Sequence, residues 1–309
     1  MMGGRLRDVA HGTSGTGPEE LPLTWLYAPG DRPDVVRKAL TSGADVVIVD
    51  LEDAVAPERK PYALRATAEL LAEPRPGPVP VHVRVNALDG PLAEAEVRTL
   101  ATLPGIAGLR LPKVDAEADV LRVAQRAQTA RESAAREGQP DEGTAGPPPL
   151  YALLESALGI ENAFVVATAH PAVRGIALGE ADLRAVLGVT GEAGLAWPRS
   201  RAVVAARAAG LAPPPQSVYP DVSDVEGLAR SCAEGRSLGF LGRTAIHPCQ
   251  LETIERAYLP TGQEIEAAEE VVKAAATDGG ALALADGRFV DAAVVAGARR
   301  TLALARRRS

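Results

Sequence analysis

Along this chain, charged side chains gather where short apolar runs stop. DVVIVDL and the two residues after it supply Asp50, Glu52 and Asp53, and VHVRVN carries Arg84 and Asn86. IAGLRL is followed by Lys113, LYALLE ends at Glu155, and VRGIALG leads into Glu180 and Asp182. TWLYA opens the series and is followed by Arg32, QSVY by Asp221, and FLGRTAIH ends at His247. Several carboxylates accompanied by a single histidine and no cysteine suit a hard divalent cation with oxygen ligands. Mg2+, with Mn2+ as a substitute, fits that donor set, whereas zinc wants more imidazole or thiolate. Glu155 and Asp182, which close successive runs, are the expected metal ligands. Each has a structural alternative: Asp182 as a helix cap, and Glu155 as a partner for Arg84.

Arg84 alternates with Val83 and Val85. If the valines face outward, the guanidinium points inward, where an unpaired charge costs several kcal/mol. It then needs a carboxylate or a substrate oxygen, and its planar fork suits a carboxylate or a developing enolate. Arg32, after a Pro-Gly turn, is a candidate for contact with phosphate or thioester, with a surface salt bridge as its alternative. His247, before a proline, reads as structural more than catalytic.

These residues need a frame that brings strand ends together. Eight β-branched runs are counted, Thr24–Ala28, Asp45–Leu51, Val81–Asn86, Ile106–Leu111, Leu150–Glu155, Val173–Gly179, Gln216–Tyr219 and Phe240–His247. Amphipathic segments such as DVVRKALTSG and ERKPYALRATAELLAE lie between them. Strands alternating with helices mean a parallel sheet, and eight such units close a (β/α)8 barrel with its chemistry at the C-terminal strand ends. The Gly-x-Gly-x-x-Gly turn of an open doubly wound sheet is absent. The expected organisation is a disordered tail over 1–20, a catalytic barrel over 21–250 and a helical lid or oligomerisation extension over 251–309. Residues 131–149 read as a flexible insertion in the barrel, and helical patterns fall at about 262–277 and 290–307.

Bulk properties narrow the class. The net charge of −7 excludes a broad nucleic-acid footprint. Two cysteines, Cys232 and Cys249, make no disulfide framework. No apolar run reaches the roughly 18 residues of a membrane span, and the N-terminus lacks a secretory apolar core, so a cytoplasmic location is expected.

The order of these segments resembles the HpcH/HpaI aldolase/citrate lyase family, in the branch of citrate lyase beta-subunit-like and malyl-CoA or citramalyl-CoA lyase proteins. The resemblance is carried by LYAPGDRPDVVRKALTSGADVVIVDLEDAVAPERKPYA, VHVRVNALDG, GLRLPKVD, LYALLESALGIENAFVVATAHPAVRGIALGEADL, VYPDVSDVEGLA, GFLGRTAIHPCQL and GRFVDAAVVAGARR. It implies a homotrimer or hexamer of barrels acting on a small-molecule acyl-CoA and an α-keto acid. Cleavage or condensation of malyl-CoA, citramalyl-CoA or citryl-CoA is the implied reaction. Mg2+ falls on Glu155 and Asp182, Arg84 on the substrate carbonyl region, and Glu52 and Asp53 on the orientation of metal-bound water. Asp291, in the tail motif, is the implied proton donor to the enolate carbon. Arg32, Lys113 and the turn Gly179, Glu180, Ala181 complete the expected substrate and CoA contacts. The chain departs from the family pattern at Ser156, where threonine is usual, at Arg243, where lysine is common, and in the length of 131–149. The alternatives are a CoA-independent pyruvate aldolase, against which the tail speaks, and a citrate lyase subunit needing an acyl-carrier protein.

Overall fold

A computed structural model describes residues 21–137, 146–277, 282–283 and 287–308. The tail expected over 1–20 lies outside the described residues, as does 138–145 of the expected insertion. The chain divides into two compact units, one of Pro22–Tyr258 and one of Met1–Leu21 with Leu259–Ser309.

The larger unit is built on seven parallel strands: β1 (Thr24–Pro29), β2 (Val46–Asp50), β3 (Val81–Arg84), β4 (Gly108–Leu111), β5 (Leu150–Leu154), β6 (Val173–Leu178) and β7 (Arg243–Ala245). They form one curled sheet in the order β6-β5-β4-β3-β2-β1-β7, so each of the first six lies beside its sequence neighbours. The expected strand at Gln216–Tyr219 is only a single bridge, Gln216 to Arg243. Pro213, Pro214 and Pro215 precede it and Pro220 follows, and prolines give a ladder no N–H. Beyond β6, the Glu180 N–H reaches the Ser217 hydroxyl at 3.3 Å instead of a strand carbonyl.

The strands bury both faces almost throughout, as parallel sheets do, with Arg174 of β6 exposed. Val47, Val49, Val83, Leu109 and Leu111 are fully buried on the outer face, where α1 (Pro33–Leu40), α2 (Lys60–Leu71), α3 (Ala93–Leu100) and α4 (Glu117–Arg136) follow their strands. The inner face begins with Trp25, Val46 and Ile48 packed with Tyr27 and then turns polar. Local signals set the helices. Pro33 and Asp34 open α1, and the Asp119 carboxylate accepts the N–H groups of Asp115 and Ala116 ahead of α4. The α4 helix runs through Arg136, so the excursion read at 131–149 starts later than its polar composition suggests.

After β5 come α5 (Ala157–Glu161) and α6 (Ala163–Thr168), and after β6 come α7 (Glu180–Leu187) and α8 (Ala196–Ala208). Then α9 (Val225–Leu238) leads to β7, and α10 (Leu251–Tyr258) ends the unit. Ser156 caps α5 by accepting the Gly159 N–H at 3.0 Å and donates its own proton to Asp115. The hydroxyl kept at this departure from the family pattern is therefore in use.

In the smaller unit α11 (Gly262–Thr277) is followed by β8 (Leu282–Ala283), β9 (Phe289–Val290) and α12 (Ala292–Ala305). Ala268, Val271, Val290 and Ala298 form its core. Both helices fall where the sequence periodicity places them. No helix among the described residues is long and apolar enough to cross a membrane.

Candidate functional site

Strand register decides which side chains meet. In neighbouring parallel strands, paired residues share a face, and Asp50, Arg84, Arg110 and Tyr151 pair in turn across β2 to β5. Arg84 therefore points inward, as its valine neighbours require, and finds carboxylates there. Asp50 takes it in a fork, Oδ1 from Nε at 2.7 Å and Oδ2 from Nη2 at 2.6 Å. Asp50 also accepts the backbone N–H groups of Glu52 and Ala54, both at 3.0 Å. Burial works against the Arg84 charge, but the Asp50 pair, with the nearby Tyr27 and Glu52, holds its acidity well below that of a free guanidinium.

Glu52 is buried between two cations. Its Oε1 accepts Lys113 Nζ at 2.7 Å, and its Oε2 lies 3.1 Å from Arg84 Nη1 without hydrogen-bond alignment. Burial raises its pKa, against the pull of Arg84 and Lys113. Asp53 is exposed and touches Arg84 Nη1 at 3.3 Å. Lys113 reaches Glu52 from a left-handed backbone conformation, φ 52°, where a non-glycine residue is uncommon. The turn after β4 thus spends backbone strain to aim this ammonium group. Its hydrogen bond to Glu52 raises its pKa.

Glu155, just past β5, differs from all of these. It is 4% exposed, and no described residue donates a hydrogen bond to it or pairs with it. Burial, then Glu52 and Asp182, push its pKa up to about 8, against the opposing influence of Arg84 and Lys113. Asp182, in the first turn of α7, accepts no hydrogen bond from a described residue, and α7 has no side-chain cap. Neither structural alternative holds: Asp182 is not a cap, and Glu155 is not paired with Arg84. Two carboxylates that press on one another without a proton donor fit a hard cation. Among the described residues no three carboxylate, imidazole or thiol groups gather into a cage, which suits an ion that keeps water and substrate in its shell.

Gly179 makes room for this group. A Cβ there would stand 2.6 Å from the Glu155 Oε1, while the backbone at φ −97° and ψ 83° demands no glycine. Gly179→Ala should therefore fold normally and displace the carboxylate. An error of about 1 Å costs on the order of 100-fold in rate, to be checked by steady-state turnover beside a thermal melt.

The remaining expected residues are placed as follows. Arg32 is exposed in the turn after β1. The carboxylate of Glu180 is taken by Arg199 at 2.8 and 2.7 Å, so this side chain is not offered to a ligand. Gly179 and the exposed Ala181 present only backbone and a methyl group. Asp221 organises its own turn through Ser223 and Asp224, and His247 Nδ1 accepts the Cys249 N–H at 3.2 Å, a structural role. Asp291 belongs to the smaller unit, where it caps α12 by accepting the N–H groups of Ala293 and Val294, both at 2.9 Å. Asn86, noted at a strand end, donates to Leu51 O and Glu96 and accepts from Lys60, tying β3 to α2 and α3.

Carboxylates, guanidinium and ammonium gather at the C-terminal edge of a curled parallel sheet, where α/β enzymes carry their chemistry. The chain belongs to the HpcH/HpaI aldolase/citrate lyase family, whose model matches residues 23–248. It is 36% identical over 290 residues to a (3S)-malyl-CoA thioesterase of Cereibacter sphaeroides, covering 91% of this chain and 93% of that one. It is 33% identical over 294 residues to the citrate lyase subunit beta of Leuconostoc mesenteroides subsp. cremoris, covering 93% and 94%. The protein CitE of Mycobacterium tuberculosis, solved in complex with magnesium, acetoacetate and coenzyme A, superposes with a TM-score of 0.76. That match has 30% identity and covers 92% of this chain and 97% of CitE.

Proposed function

We propose that this chain is a magnesium-dependent carbon–carbon lyase, cleaving or forming a 3-hydroxyacyl-CoA thioester of the malyl, citramalyl or citryl type. The observation that carries the reading is the buried, unpartnered Glu155 carboxylate set against Asp182. Magnesium in complex with CitE and the coenzyme A in the same crystal support it. The curled sheet is read as a (β/α)8 barrel in which the Gln216 segment takes the place of a strand; of the lid expected over 251–309, residues 251–258 belong to the larger unit, and the part after Tyr258 is read as the lid.

Glu155 and Asp182 would hold the ion, which when bound supplies Lewis-acid polarisation of the substrate's hydroxyl and carboxylate oxygens. In cleavage the hydroxyl proton passes to water, the bond from the carbinol carbon to the thioester methylene breaks, and its electron pair passes to the thioester as an enolate. Arg84 faces that oxygen with the N–H groups that Asp50, Glu52 and Asp53 leave open, and stabilises the charge as it develops. Glu52 holds Arg84 and Lys113 in register, and Asp53 keeps the outer side of the guanidinium in place. Arg32, on the exposed turn, is the candidate for CoA phosphate. Asp291 would return a proton to the enolate carbon, and assembly as a trimer or hexamer is the accompanying reading for its delivery.

The test is thioester cleavage by Glu155→Ala, Asp182→Ala and Asp291→Ala with Mg2+ or EDTA. Loss of about 100-fold or more is expected for either ligand variant, and full activity in any one refutes its role. The (3S)-malyl-CoA thioesterase relative favours a second reading, hydrolysis of the thioester. Free thiol released in step with the free hydroxy acid, with no keto acid formed, would support it. A requirement for an acyl-carrier protein would instead match the citrate lyase subunit.

A further inference from the structure

Asp182 stands on a helix that grips the rest of its unit at few points. Of the eight residues of α7, Glu180 and Leu183 are buried, while Ala185, Val186 and Leu187 are exposed. No side chain caps its first turn. The backbone there is tied twice, by the Gly179 N–H to Leu154 O at 3.1 Å and by the Glu180 N–H to the Ser217 hydroxyl at 3.3 Å. The firmer hold is the Glu180 carboxylate. Arg199 of α8 grips it from Nε at 2.8 Å and from Nη2 at 2.7 Å, and the arginine side chain is 4% exposed. The same guanidinium lies 2.7 Å from Glu192, ahead of α8, and 3.6 Å from Glu234 of α9, both of them exposed.

A buried ion pair is a costly way to join two helices. Taking both charges out of water offsets most of their attraction, and an apolar pair of similar volume often holds as well or better. What the fork adds is direction. A planar guanidinium on both oxygens of a carboxylate fixes orientation as well as distance. Direction matters at α7. Gly179 lies against the Glu155 carboxylate, where a Cβ would stand 2.6 Å from Oε1, and Asp182 follows it by three residues on the same face. Glu180 and Asp182 are two residues apart, about 200° around a helix of 3.6 residues per turn. The pull of α8 on Glu180 therefore sets which way Asp182 faces on the other side. A roll of about 10° carries a carboxylate at the helix rim, about 5 to 6 Å from the axis, through about 1 Å. Mg2+ tolerates little of that, because it holds its oxygens at about 2.0–2.1 Å in near-octahedral geometry.

We propose that Arg199 is a positioning residue for the metal site: its fork on Glu180 fixes the roll of α7 and thereby aims the Asp182 carboxylate beside Glu155. The inference rests on the reading of Glu155 and Asp182 as ligands, and Arg199 acts on that site through Glu180.

The experiment is titration calorimetry of Mg2+ on the full chain, beside thermal melts without metal. It compares wild type, Arg199→Lys, the double variant Arg199→Met/Glu180→Leu, and Asp182→Ala. The double variant guards against misfolding, since Arg199→Met alone leaves a buried carboxylate unpaired. It should melt within about 4 °C of wild type or above it, yet bind Mg2+ about tenfold more weakly. Arg199→Lys, which keeps the charge and loses the fork, should bind about threefold more weakly at an unchanged melt. A role in stability alone predicts that affinity is kept wherever the melt is kept. The proposal is overturned if the double variant binds Mg2+ within about twofold of wild type, or if affinity weakens only together with the melting temperature. Should the double variant melt far lower, Arg199→Lys decides alone, and full binding by it overturns the proposal. Asp182→Ala separates the two readings. Affinity unchanged in Asp182→Ala removes the ligand reading itself, whereas affinity lost there and kept in both Arg199 variants removes the positioning role alone.

Discussion

Metal-free protein should lose stability as pH rises from about 4.5 to about 8, and Mg2+ should restore it. The cause is Glu155, buried and unpartnered beside Asp182, with its pKa pushed up to about 8 in the absence of a cation. In the unfolded chain the same carboxyl titrates near 4.3. Between those values the folded state binds more protons than the unfolded state, so stability falls with rising pH across that window. The contribution is fully present below the lower value and lost above the higher one. A cation needs the ionised carboxylate, so proton and metal compete. Affinity for Mg2+ should rise about tenfold per pH unit up to about pH 8 and then level off. Titration calorimetry at pH 7 in two buffers of different ionisation enthalpy should report release of about one proton per ion bound. Glu155→Gln should remove both the pH slope of the melting temperature and its response to Mg2+. An affinity for Mg2+ that is flat between pH 6 and 8 would show that Glu155 is not the group displaced.

Much of this frame is legible in the residues. Six of the eight expected strands form within a residue or two of their predicted bounds because each is a short, mostly apolar run that is largely buried. The inward turn of Arg84 follows from its two valines. The same alternation places Arg110 between Leu109 and Leu111 and sets Asp50, at the end of VVIVD, on the face of Arg84. What alternation does not carry is partnership. That Glu180 is neutralised by Arg199 depends on how α8 packs, and nothing in AWPRSR marks Arg199 and not Arg201 as the buried one. The Gln216 segment has a strand's side chains but sits among prolines, and the missing N–H groups decide its fate.

Replacing Asp50 should destabilise the protein and slow turnover, because Asp50 holds Arg84 in place. Asp50 is 1% exposed and accepts two hydrogen bonds from Arg84, while its oxygens also fix the backbone of the turn that carries Glu52. Asp50→Ala should cost about 3 kcal/mol in urea unfolding, since removing one partner of a buried pair strands the other. Asp53→Ala is the control. It too removes a carboxylate within 3.3 Å of Arg84, but its side chain is 58% exposed, and exposed pairs contribute at most about 1 kcal/mol. Asp50→Asn separates stability from positioning. It keeps the shape and one acceptor oxygen but loses the two-point grip, so Arg84 gains freedom to rotate away from the enolate oxygen. Turnover should fall by about 100-fold with a smaller change in KM, because the lost interaction is made chiefly in the transition state. If Asp50→Ala unfolds at the same urea concentration as Asp53→Ala, the buried fork is not what holds Arg84, and the guanidinium must be positioned by Glu52 alone.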